Sequence, residues 1–140
     1  MSKHLSVKIQ LSNFLFLLIA LIQFYWLVLF GIIPFDIVWG GKVKNHSEMI
    51  SLEMISLFIN TMMLIVVLLR AKIITIGFHP VKTKVMLYIM ALLYGMNCVG
   101  NLHADTNFEK FVFTPITLLL SLLSWQLART NSPQTKIENN

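Results

Sequence analysis

The side chains best suited to chemistry lie between Tyr94 and Lys110, where YGMNCVGNLHADTNFEK carries Asn97, Asn101 and Asp105 at steps of four. On a helix that spacing puts all three on one face, as a polar ladder leading out of an apolar segment. A second ladder, His46, Glu53 and Asn60, recurs every seven residues with Ser56 beside it. Glu53 is the acidic residue that falls inside an apolar run. A carboxylate in hydrocarbon is a functional candidate by default, because desolvation opposes its charged form and makes a neutral, proton-carrying form accessible. The two ladders are expected to converge, with Glu53 pointing into the bundle towards Asn97 and Asn101, and His103 and Asp105 above them. Glu53, Asn60, Asn97, Asn101, His103 and Asp105 are thus the candidates for binding a ligand or handling a proton. The plainer reading is that these polar groups only hold helices together. Glu53 lies about one turn, roughly 6 Å, from the end of its run and could reach water.

Other chemistries have less support. His46-x-Glu48 and His103-x-Asp105 supply zinc-ligand types, so His46, Glu48, His103 and Asp105 are weak metal candidates, but neither pair has the spacing of a zinc motif. All four histidines lie at helix ends or in connections, which does not suit axial ligation of haem. There is no G-x-S-x-G elbow for a serine nucleophile, and a single cysteine, Cys98, rules out a Cys-x-x-Cys redox pair. No metal and no cofactor is expected, and an enzyme is the least favoured class.

The elements that must position these residues are hydrophobic. Of 140 residues 56% are hydrophobic and only 12% charged, about half the charged share of a soluble domain. Four apolar runs, Phe14 to Ile33, Met49 to Leu69, Val85 to Leu102 and Phe111 to Ala128, are each close to the ~20 residues that cross a bilayer as helix. They do not alternate apolar with polar as barrel strands do. Leu15 to Ile22 is apolar all the way round, which excludes a water-soluble bundle. The expected fold is all-α: an integral membrane four-helix bundle, antiparallel and up-down, with helices about 12–33, 49–69, 85–102 and 107–128 in one domain, 1–130. A disordered polar tail is expected over 131–140.

The net charge of +5 comes from dispersed residues without a nucleic-acid-reading motif, so nucleic acid is not an expected partner. The cations instead read as topology signals. Lys3, Lys8, Arg70, Lys72, Lys82, Lys84, Arg129 and Lys136 fall on one side, and Lys42, Lys44 and Lys110 on the other. The positive-inside rule then places both termini in the cytoplasm of, in this reading, a bacterial inner membrane.

Local signals refine the plan. Pro34 is expected to end the first helix, followed by a turn with Trp39 in the headgroup belt and positive φ at Gly40 and Gly41. Gln23, deep in the first run, is expected to face another helix. Thr106-x-x-Glu109 reads as a capping box, and Pro115 should kink the helix that follows. Thr117 and Ser121 belong to a hydroxyl seam expected to face a neighbouring helix, with Leu118 and Leu122 turned to lipid. Two functional readings follow. One is a non-enzymatic subunit, scaffold or binding protein with a polar extracytoplasmic face, whose partners are the bilayer and a second copy or another membrane protein. The alternative is a small-solute or proton-coupled carrier using Glu53 and the third-helix amides.

Overall fold

A computed structural model describes residues 2–39, 42–77 and 79–130. The expected positive φ at Gly40 and Gly41 and the expected disordered tail at 131–140 lie outside the described residues. Four helices dominate: α1 Ser2–Leu29, α2 His46–Arg70, α3 Pro80–Leu102 and α4 Thr114–Arg129, the last preceded by a π-helical turn at Glu109–Phe113. Stretches within them, Ser6–Leu29, His46–Arg70, Val81–Leu102 and Glu109–Arg129, are long and apolar enough to cross a membrane. No strand is found among the described residues.

Local chemistry explains where each helix begins and ends. α1 stops at Leu29 rather than continuing to Pro34, because Gly31 adopts φ 71° and closes a Schellman motif, with Ile32 N–H donating to Leu27 O and Gly31 N–H to Val28 O. α2 starts at His46 because Asn45 caps it, its Oδ1 accepting from Glu48 N–H at 2.7 Å. α2 ends in a second Schellman motif, Ile73 N–H to Leu68 O and Lys72 N–H to Leu69 O, in which the left-handed position falls on Lys72, φ 58°. α3 begins at Pro80, where a missing N–H costs nothing, with His79 as its cap.

At the start of the fourth helix the two ends of the capping box meet directly: Thr106 Oγ1 donates to Glu109 Oε2 at 2.9 Å. Beyond them Thr114 N–H reaches back to Glu109 O, one residue further than in an α-helix. This wide turn sits directly before Pro115, the residue that cannot donate and whose ring crowds the preceding turn.

The helices pack most extensively as α1 on α2 and α3 on α4. Phe14, Leu18 and Val28 of α1, Val67 of α2, Leu87 of α3, and Leu120 and Leu127 of α4 are fully buried between them. Ser121 Oγ donates to Ala91 O of α3 at 2.7 Å, and Gly95 lets α3 approach there, since a Cβ would lie 3.4 Å from that hydroxyl. Thr117 is buried, whereas Leu118 and Leu122 are 47% and 48% exposed, as a hydroxyl seam facing α3 requires. At the far end of the bundle Arg70 donates to the carbonyls of Leu127 and Thr130, tying the last turn of α2 to that of α4. Gln23 does not face a neighbouring helix: its side chain is exposed, because the α1 face that meets the bundle is the one carrying Leu21, Tyr25 and Val28.

Candidate functional site

The link between α1 and α2 folds back over the end of the bundle. A 3-10 turn at Phe35–Ile37 leads into buried Val38 and then Trp39, whose φ is 58°, a left-handed conformation that bulky residues rarely adopt. Trp39 is half-buried, and its indole turns inward rather than lying only among headgroups: Nε1 donates to Glu53 Oε1 at 2.8 Å. Strain of this kind persists only where the surroundings compensate for it, and the hydrogen bond to Glu53 is one such compensation.

Glu53 itself is 1% exposed. Its second oxygen, Oε2, is buried and has no hydrogen-bond partner among the described residues. A carboxylate so placed meets a large desolvation penalty unless a proton, a cation or a donor satisfies it.

Glu53 borders a cavity of about 70 Å³, with room for roughly two water-sized groups. Every helix contributes to its wall: Tyr25 from α1, Glu53 and Ser56 from α2, Asn97 and Asn101 from α3, and Thr117 from α4. Asn101 Nδ2 lies 3.4 Å from Thr117 Oγ1, and that hydroxyl donates onward to Phe113 O at 2.7 Å. On one side the cavity is walled by Phe24 and Phe113, edge to face at 4.9 Å, with Phe108 stacked on Phe24.

A second space, a groove of about 390 Å³ between α2 and α3, shares Tyr25, Trp39, Ser56 and Asn97 with the cavity. Its rim is apolar, with Ile55, Leu93 and Met96 exposed. Its polar residues largely satisfy one another: Tyr94 Oη donates to Asn60 Oδ1 at 2.7 Å, and Asn60 Nδ2 donates to Ser56 O at 2.8 Å. The Tyr25 phenol lies beside Ser56 and Asn60. The unpaired acceptor therefore lies at the cavity end, on Glu53, and the groove leading from it is suited to apolar groups.

The residues expected to act together separate into two groups. Glu53, Asn97 and Asn101 line one cavity, and Asn60 lies in the adjoining groove with its amide engaged. His46, Glu48, His103 and Asp105 are exposed and do not line either space. His103 Nδ1 instead lies 2.9 Å from Val99 O of its own helix, and the His46 ring packs edge-on against Phe35. Among the described residues no three His, Cys, Asp or Glu side chains gather as metal ligands.

Glu109, 7% exposed and part of the polar stretch from Tyr94 to Lys110 that the sequence marks for chemistry, brings a second carboxylate to the cavity. Two contributors were not singled out as site residues. Trp39 reads as a headgroup aromatic and Tyr25 carries no sequence signal, and only the fold-back of the link shows what the Trp39 indole reaches.

Comparison with known proteins gives no match to any family model, curated protein or solved structure.

Proposed function

We propose that this small multi-pass membrane protein is a non-enzymatic binding protein for a small solute that carries a positive charge or strong hydrogen-bond donors, with Glu53 as its principal acceptor. The observation that carries this reading is the buried Glu53 carboxylate, held on one oxygen by Trp39 and unpartnered on the other, beside a cavity lined by Asn97 and Asn101. Buried side-chain oxygens are for the most part hydrogen-bonded, so an unpartnered one beside a cavity favours a ligand there. Glu109 also lines this cavity. A scaffold whose polar groups only hold helices together has no need of such a space.

The distribution of Lys and Arg supports both termini lying in the cytoplasm of a bacterial inner membrane, which puts the Glu53 cavity in the outer third of the bilayer. A solute could then reach it from outside, or along the α2–α3 groove from the lipid. If the bound cation exchanges with a proton on Glu53, the same site serves a carrier.

Hexylammonium is a suitable probe, with an ammonium head for the cavity and a short chain for the groove. Calorimetric titration into the detergent-solubilised protein should show saturable binding that hexanol does not reproduce. Glu53→Gln, which keeps size and an acceptor for Trp39, should weaken it at least about tenfold. Equal affinity in the wild type and Glu53→Gln, or no saturable binding, would refute the reading.

A further inference from the structure

Gln23 lies within the α1 span, yet its side chain is exposed and makes no hydrogen bond among the described residues. At 1.5 Å per residue it is about 9 Å inside the Leu29 end of the helix, too deep for a short amide side chain to reach water. An amide turned towards acyl chains loses its hydrogen bonds to water and gains none, which is strongly unfavourable in hydrocarbon.

The neighbours of Gln23 on that surface form a regular pattern. Phe16, Ile19, Gln23, Trp26 and Phe30 are all exposed and follow one another at steps of three, four, three and four. That is the spacing of a seam along which two helices pack at a shallow angle. Trp26 and Phe30 are already stacked on each other, ring centroids 5.5 Å apart, so part of the surface is ordered before any partner arrives. A primary amide is self-complementary, offering two N–H donors and a carbonyl acceptor. Across a twofold axis the same residue of a second copy satisfies both functions at once.

We propose that the chain forms a parallel twofold dimer through this face of α1, with the Gln23 amides hydrogen-bonded to each other across the axis. A second copy fits better than an unrelated helix because it brings an amide at the same depth and the same aromatic spacing without further requirement. Parallel packing follows from insertion of both copies in one orientation. The dimer does not depend on the Glu53 cavity, which lies on the opposite, inward side of α1.

Two measurements in liposomes test this. In a Cys98→Ser background, Ile19→Cys should form an intermolecular disulfide on mild oxidation, while Phe58→Cys on the outward face of α2 should not. Energy transfer between labelled copies, followed over a range of protein-to-lipid ratios, should give a dimerisation constant that falls roughly 3- to 30-fold in Gln23→Leu and is largely retained in Gln23→Asn. Because Gln23 faces outward, Gln23→Leu should fold and melt as the wild type does. Dimerisation unchanged in Gln23→Leu, crosslinking no greater at Ile19→Cys than at Phe58→Cys, crosslinking of Ile19→Cys only to a different polypeptide, or failure of Gln23→Leu to fold would each overturn the proposal.

Discussion

The indole of Trp39 donates to the carboxylate of Glu53 at 2.8 Å, joining the link between the first two helices to the second turn of α2. This one bond fixes the orientation of the carboxylate, leaving Oε1 satisfied and Oε2 buried without a partner beside the cavity. Trp39→Phe keeps the aromatic packing and removes the donor, so it should destabilise the protein by about 1.5–3 kcal/mol. Glu53→Gln retains an acceptor for the indole and should cost less than Trp39→Phe. Thermal unfolding in a mild detergent measures both; a larger loss in Glu53→Gln would mean that Trp39 is not the main partner.

Lys72 holds a left-handed backbone conformation, φ 58°, at the end of α2, where glycine is the usual residue. Lys72→Gly should therefore raise stability by up to about 1 kcal/mol, the steric penalty relieved outweighing the extra freedom of the unfolded chain. The same unfolding measurement reads the sign.

The α3–α4 contact is tight at Gly95 and Ser121. Ser121→Leu places bulk where a Cβ on Gly95 would already lie 3.4 Å from the hydroxyl, and it removes the bond to Ala91 O. It should cost more than about 2 kcal/mol through overpacking and the lost hydrogen bond, whereas Leu122→Ala on the exposed face should stay within about 1 kcal/mol. Equal effects would show that the hydroxyl seam does not organise the pair.

The orientation rests on charge distribution and is open to labelling. Asn107→Cys in a Cys98→Ser background should react with a membrane-impermeant thiol reagent added outside intact cells. Reaction only after the cytoplasmic side is opened would invert the topology.

The helical class and the four spans were readable because a bilayer imposes an unambiguous length and polarity on each segment. Helix ends were harder. The runs were bounded by hydrophobicity, yet Asn45, His79 and Gly31 set the actual limits through hydrogen bonds and a positive φ. Each is visible in the sequence as a residue type but acts only through its neighbours. The convergence of Glu53 with Asn97 and Asn101 followed from helical periodicity and the antiparallel plan. The exposure of His103 and Asp105 did not, because α3 ends at Leu102 and its periodicity no longer governs where they point. Trp39 reaches Glu53 through a folded-back link, an irregular feature with no sequence period to reveal it.

The central claim, that a donor-bearing cation sits against Glu53, is tested most directly at the indole of Trp39. In a detergent-solubilised sample with 15N-labelled tryptophan, the Trp39 N–H resonance, assigned by its loss in Trp39→Phe, reports the carboxylate to which it is bonded. Hexylammonium should move this resonance saturably while the Trp26 and Trp125 indoles shift little, and Glu53→Gln should abolish the movement. A Trp39 resonance indifferent to hexylammonium, or one that moves equally in Glu53→Gln, would contradict the account.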